Sequence, residues 1–142
     1  MAIAIRAATL DDAESIARLV SDLGYDTSGD AMRARLDAIF RDPDYDTLVA
    51  VDDDAVAGFV GTRAGPLYET DVSYGQIMAL SVAASHQGRG VGRLLMLAAE
   101  TILTGRGVRQ LIVTSGLHRE GAHAFYERLG YAFNGKRFRK SI

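Results

Sequence analysis

The run Leu80-Ser81-Val82-Ala83-Ala84-Ser85-His86-Gln87-Gly88-Arg89-Gly90-Val91-Gly92-Arg93-Leu94-Leu95 changes character twice. Its first residues close an apolar strand. Gly88, Gly90 and Gly92 then alternate through a turn, and the residues after them begin an amphipathic helix. A glycine at that boundary reaches positive φ without penalty and lets a ligand come close to the backbone. The first turn of a helix leaves N–H groups without intrahelical acceptors, and the macrodipole adds partial positive charge. Strand, glycine turn and helix start together make an anion site, most often for phosphate. Arg89 and Arg93 add donors suited to phosphate oxygens. A Walker loop needs a lysine that this run lacks, and a dinucleotide fingerprint needs Gly-x-Gly-x-x-Gly where this run has Gly-x-Gly-x-Gly. A plain glycine-rich helix start is the alternative that these residues leave open by themselves.

The 142 residues are of one-domain length, so residues 1–142 are expected to form a single domain. With 48% hydrophobic and 24% charged residues the composition is that of a globule, not a disordered chain. A net charge of −2 supplies no global attraction for nucleic acid, and no nucleic-acid partner is expected. The absence of cysteine excludes disulfides, thiolate metal sites and a cysteine nucleophile. His118 and His123 are five apart and do not share a helix face as an i, i+4 metal pair would, so no metal is expected. Asp42, Asp44 and Asp46 alternate like the start of a calcium loop, but Thr47 stands where the glycine belongs and Asp53 where the glutamate belongs. The N-terminus lacks the pattern of a signal peptide, and no apolar run approaches the length of a membrane span. A cytoplasmic protein without a membrane partner is the expectation.

Outward from the central run, Ile3 and Ile5 read as a first strand. Thr9 or Asp11 caps a helix whose apolar residues are Ala13, Ile16, Ala17, Val20 and Leu23, and Gly24 stops it. Ser28 or Asp30 caps a second helix with Met32, Leu36, Ile39 and Phe40 on one face, ending before Asp42-Pro43. Thr47–Val51 and Ala55–Arg63 read as strands joined by a turn at Asp52-Asp53-Asp54. Gly58 and Gly61 mark a bulge or a close backbone approach. Tyr74–Val82 is the next strand, and its run Ile77-Met78-Ala79-Leu80 predicts burial on both faces. The helix after the glycines carries Val91, Leu94, Leu95, Ala98 and Ile102 on one face and stops at Gly105 and Gly107. Gln110–Thr114 predicts another buried strand, Glu120–Leu129 a helix stopped by Gly130, and Tyr131-Ala132-Phe133 the start of a last strand. The basic run Lys136-Arg137-Phe138-Arg139-Lys140 reads as a solvated edge strand guarded by charge. The fold class expected from this order is α/β, one domain with a mixed, mostly antiparallel sheet flanked by helices.

Gln87, Gly90 and Gly92 fill the pattern Gln/Arg-x-x-Gly-x-Gly/Ala, which resembles the pyrophosphate motif of the GNAT superfamily of acyl-CoA-dependent N-acyltransferases. Gln76–Val82 is similar to that family's central strand, and Ala122-His123-Ala124-Phe125-Tyr126-Glu127-Arg128-Leu129-Gly130-Tyr131 to its late helix. The resemblance covers residues 74–131 in motif and the N-terminal third only in element order.

The resemblance implies an activity, direct transfer of an acetyl group from acetyl-CoA to a primary amine of a small molecule or peptide. By position it assigns the pyrophosphate to Gln87, Gly88, Arg89, Gly90, Val91, Gly92 and Arg93, and the pantetheine arm to backbone groups of Leu80, Ser81 and Val82. The N–H of Val82, or that of Leu80, would be the oxyanion donor. Tyr126 would touch the cofactor and protonate the leaving thiolate as general acid; read on spacing alone it is a core aromatic first. Arg119 stands where many members have a CoA-contacting asparagine, and a phosphate contact is what it has to offer. His123, on the same helix, reads as a packed or exposed side chain before a catalytic one. Glu69, and Asp71 beside it, are the candidate bases for the attacking amine or are solvated loop charges, in which case a water relay or deprotonation in solution takes the proton. Asp22, Asp26 and Asp30 would favour a cationic acceptor or are surface charges. The family also implies a homodimer. A non-catalytic acyl-CoA sensor uses the same glycine loop and is the competing reading, since only the enzyme needs Tyr126.

Overall fold

The computed structural model describes residues 2–114 and 120–142. They fall into two compact units, 1–112 and 113–142. In chain order the elements are β1 (Ile3–Ala7), α1 (Ala13–Asp22), α2 (Gly29–Arg41), β2 (Tyr45–Asp52), β3 (Ala55–Gly65), β4 (Tyr74–Val82), α3 (Val91–Gly105), β5 (Gln110–Val113) and α4 (Glu120–Arg128). Short 3₁₀ turns at Leu10–Asp12 and Ala84–His86 precede α1 and α3. The sheet runs β1-β2-β3-β4-β5, and the pairings β1–β2, β2–β3 and β3–β4 are antiparallel.

The helix ends follow from glycine. Gly24, Gly107 and Gly130 have φ of 102°, 85° and 93°. Beyond each, the next N–H reaches back five residues: Tyr25 to Val20, Val108 to Leu103 and Tyr131 to Tyr126. This is the Schellman closure, which satisfies carbonyls that a helix end leaves open. At the other end of α2, the Ser28 hydroxyl accepts the N–H of Ala31 at 3.1 Å and so settles the cap between the two candidates. Before α1, Asp12 accepts the Thr9 N–H at 2.8 Å and a two-pronged bond from Arg6 at 2.8 and 2.9 Å. That guanidinium, above all, holds the buried Asp12 carboxyl below its ordinary range, against the opposing effect of burial.

Two register shifts decide which helix each strand faces. The β2–β3 pairing passes from Ala50↔Gly58 to Val51↔Val56, so Ala57 is an extra residue. The β3–β4 pairing passes from Gly61↔Ala79 to Thr62↔Ile77, so Met78 is the extra residue there. A bulge turns the alternation over. Ala79 consequently packs with the cluster built from Ile16, Leu19, Met32, Leu36, Val49 and Phe59 beneath α1 and α2. Gly75, on the other side of the bulge, faces Leu103 of α3. Met78 itself is 46% exposed, so the apolar run 77–80 is not buried on both faces as expected; it is apolar because it changes faces midway.

Helix α3 lies against two glycines. A Cβ on Gly58 would stand 2.9 Å from the Ser81 carbonyl oxygen and 3.1 Å from Leu95, and one on Gly75 would stand 3.0 Å from Leu103 and from Leu111. Of the two alternatives left open for Gly58 and Gly61, Gly58 is a close approach and Gly61 stands at the β3–β4 register shift, and Gly75 is an approach the strand pattern did not signal. The buried stripe of α3 is Val91, Leu95, Met96, Ala99 and Leu103, rotated from the expected one, and Leu94 is exposed. The close glycine contacts select that rotation. Strand β5 alternates between exposed and half-buried residues and is not the buried strand its composition predicted.

Beyond β5, the described residues of 114–142 contain α4 and no strand: Tyr131–Phe133 and the basic run at 136–140 form none. The expected final strand and its guarded edge are therefore corrected. Residues 132–142 are exposed throughout, Phe133, Phe138 and Ile142 included, so no buried face holds the segment in a ladder.

Candidate functional site

Strand β4 arrives at the glycines with its alternate residues committed. The Ser81 hydroxyl is buried and donates to the Leu19 carbonyl of α1 at 2.9 Å, tying the strand to that helix across 62 residues of sequence. Leu80 and Val82 flank it on the opposite face, both half-buried. The pairing with β3 continues one step past the strand, where the Ala83 N–H reaches the Ala57 carbonyl at 2.8 Å.

The chain then makes its 3₁₀ turn. The His86 N–H closes it onto the Ala83 carbonyl at 2.8 Å, and the Gln87 amide donates to the Val82 carbonyl at 3.1 Å. Gln87 therefore braces the turn through its side chain, a role distinct from the ligand contact expected of it. Gly88 and Gly90 follow with φ of 76° and 83°, and nothing lies within 4 Å of where a side chain at either would begin. Gly90 is the N-cap of α3 and no side chain caps it. Val91 anchors the first turn in the core, while Arg89 and Arg93 are exposed. Backbone conformations of this kind, closed on the protein side and open outward at a helix N-terminus, fit an anionic ligand. Leu80, Ser81 and Val82 thus close β4, and Gln87–Arg93 lead from the turn into the first residues of α3.

Glu69 is exposed in the connection between β3 and β4, in a stretch without regular structure, and Asp71 is exposed beside it. Arg119 lies outside the described residues. Tyr126 belongs to the second unit, on α4. It is the more buried of the aromatic pair at 9% exposure, while Phe125 is half-buried. The reason is local: the closure at Gly130 brings the Tyr131 ring to 6.0 Å from that of Tyr126, with Phe125 edge-on at 5.3 Å. His123 is half-buried on the same helix.

Sequence reasoning missed one contact of the glycine turn. His86 Nε2 lies 2.8 Å from Asp52 Oδ2, and its Nδ1 lies 2.8 Å from the Ser85 hydroxyl. No local pattern announces a pair 34 residues apart; the only sign was an acidic turn at 52–54 in a hairpin that pairs with β4.

Asp22, Asp26 and Asp30 are all exposed. Asp30 helps to line a groove of about 480 Å³ with Asp11, Glu14 and Arg33 between the starts of α1 and α2. Asp22 lines a second, of about 330 Å³, with Arg18, Thr27 and Ala83. Among the described residues no helix is long and apolar enough to cross a membrane.

The sequence profile of the Acetyltransferase (GNAT) family matches residues 13–131. Mycothiol acetyltransferase of Rhodococcus jostii (strain RHA1) is 32% identical over 84 residues, 59% of this chain and 28% of that protein. N-alpha-acetyltransferase 30 of Schizosaccharomyces pombe (strain 972 / ATCC 24843) is 27% identical over 85 residues, 60% of this chain and 56% of that one. The matched stretches thus span between about a quarter and a little over half the length of these curated relatives. Among solved structures, a GNAT family acetyltransferase of Staphylococcus aureus subsp. aureus USA300_TCH1516 superposes with a TM-score of 0.85 at 25% identity, over 100% of both chains. A profile that runs from the start of α1 to the closing turn of α4, over a fold with the same architecture, leaves one assignment: the chain belongs to the GNAT acetyltransferase family.

Proposed function

We propose that the chain is an N-acetyltransferase that moves the acetyl group of acetyl-CoA directly to a primary amine of a small molecule or peptide. The observation that carries this reading is the glycine loop. Gly88 and Gly90 hold left-handed conformations, open outward, at the start of a fifteen-residue helix. In the proposed complex the N–H groups from Arg89 to Arg93 take the pyrophosphate, with the Arg89 and Arg93 side chains free to follow the phosphates. The backbone at Leu80–Val82 takes the pantetheine arm in the manner of an added strand.

The neutral amine attacks the thioester carbonyl carbon, and the carbonyl electrons move onto oxygen. A strand N–H, that of Val82 or of Leu80, stabilises this oxyanion. The intermediate collapses with cleavage of the C–S bond, and the thiolate takes a proton from the Tyr126 hydroxyl. The proton leaving the amine goes to water or to Glu69. No metal takes part in these steps. The reaction is set in the cytoplasm, in keeping with the composition of a charged globule. Two copies of the chain are proposed to associate, with exposed Phe133, Phe138 and Ile142 offering apolar surface for a partner to cover.

An acceptor screen with thiol-release detection, spanning polyamines, aminoglycosides, amino acids and peptides, tests the activity. Thiol release that depends on an added amine is expected. Tight acetyl-CoA binding with no release on any amine would replace this reading by the sensor.

A further inference from the structure

We infer that His86 and Asp52 form a latch that positions the glycine loop for its phosphate ligand, an inference that rests on the acyl-CoA reading of that loop. Asp52 is the last residue of β2, and the hairpin turns immediately after it through Asp53, whose φ is +54°. The hairpin is therefore closed by the two residues Asp53 and Asp54. His86 is the last residue of the 3₁₀ turn, one position before Gln87 and two before Gly88. The 2.8 Å bond between them joins the sheet to the base of the loop, with 16% of the His86 and 25% of the Asp52 side chain exposed.

The tautomer follows from the partners. A carboxylate only accepts, so Nε2 carries the hydrogen toward Asp52. Nδ1 then accepts from the Ser85 hydroxyl in a neutral ring, and donates to the same oxygen in a charged one. A hydroxyl serves both ways, so the ring keeps two partners in either protonation state. Oriented imidazoles of this kind hold geometry and need not themselves react.

The consequence lies in the loop. Gly88 and Gly90 are permissive residues, and an unbraced loop of such residues samples many conformations that do not aim their N–H groups outward. Fixing its base removes part of that freedom before the ligand arrives, and pre-organisation of this sort raises affinity without any contact to the ligand. His86 and Asp52 are positioning residues.

The test uses the full chain and two probes. CoA carries the pyrophosphate, and S-acetylpantetheine carries only the arm and thioester. Calorimetric titration of His86→Ala and of Asp52→Ala should show CoA bound about 10-fold or more weakly than by the wild type, the loss expected of one bond to a charged group. S-acetylpantetheine should bind all of them alike. Asp52→Asn, which keeps an acceptor for Nε2–H, should recover most of the CoA affinity. Unchanged CoA affinity in both alanine variants would overturn the latch, as would equal losses for the two probes, the sign of general damage. A wild-type chain that fails to bind CoA would instead overturn the acyl-CoA reading and remove the loop's need for a latch.

Discussion

The glycine loop and helix α4 carry the two densest motifs of the chain, and the fold treats them differently. The loop is fastened on the protein side by three bonds from residues 83, 86 and 87, by the His86–Asp52 pair and by the buried Val91. It stands on a strand whose Ser81 is bonded to α1 and whose facing glycine admits α3. Helix α4 is short, closes on itself through Gly130, and is followed by a fully exposed segment. A binding loop must hold many backbone groups in one arrangement, which takes a scaffold. A proposed acid contributes a single hydroxyl, which takes only one well-packed ring. The contrast predicts that damage to the first region spreads into stability and binding, while damage to the second is confined to turnover.

The largest expected effect is on turnover. Tyr126→Phe removes the hydroxyl and keeps the ring contacts with Phe125 and Tyr131. With an amine that supports the wild type, turnover should fall by about 10²–10⁴ while CoA affinity holds and stability changes by about 1 kcal/mol or less. Full turnover in the variant would return this side chain to packing alone.

Gly58→Val tests the scaffold. It adds a branched side chain where even a Cβ meets the Ser81 carbonyl at 2.9 Å. A loss of about 3 kcal/mol or more is expected in denaturant unfolding, together with weaker CoA binding, because α3 and the loop must shift. A variant as stable as the wild type would show that α3 is not held by that contact.

Asp12→Ala removes the Arg6 and Thr9 bonds at the start of α1 and should cost about 1–3 kcal/mol at neutral pH. The Asp12 carboxyl sits below its ordinary range, so its contribution is complete above the usual carboxylate value of about 3.9. It is lost as pH falls from there through the lower folded value. The wild type should therefore lose stability across this acid window more steeply than the variant in pH-dependent thermal melts. Parallel curves would mean that the clasp contributes no proton linkage.

Deletion of residues 134–142 should have the smallest effect on the fold, within about 0.5 kcal/mol, since those residues are exposed. A larger loss would show that a partner, or a second copy, depends on the segment.

What could be read from the sequence follows the same division. Gly24, Gly90, Gly107 and Gly130 announced helix boundaries because φ > 0 leaves few other residues eligible. Strand β4 was legible to its end residues. The rotation of α3 was not, because Leu94 and Leu95 are equally apolar and the choice lies with Gly58 and Gly75 across the layer. The Met78 bulge was hidden for a similar reason: an apolar run reads alike whether it is buried twice or changes faces. Which of Phe125 and Tyr126 is the more buried was not legible, because the closing turn at Gly130 brings the Tyr131 ring against Tyr126. The Asp52–His86 pair was invisible to any local pattern, being made by register. Residues 131–142 show that aromatic residues near the chain end do not make a strand without a face to bury.

The central claim is that the backbone at Gly90 lies against phosphate. Titration of CoA into Gly90→Asp tests it most directly, because the substitution puts a carboxylate and an unfavourable φ at the N-cap of α3, where nothing within 4 Å would otherwise oppose a side chain. The account predicts a folded protein, since that side chain points into open space, whose affinity for CoA falls by about 100-fold or more. A folded Gly90→Asp protein that binds CoA as the wild type does would contradict it.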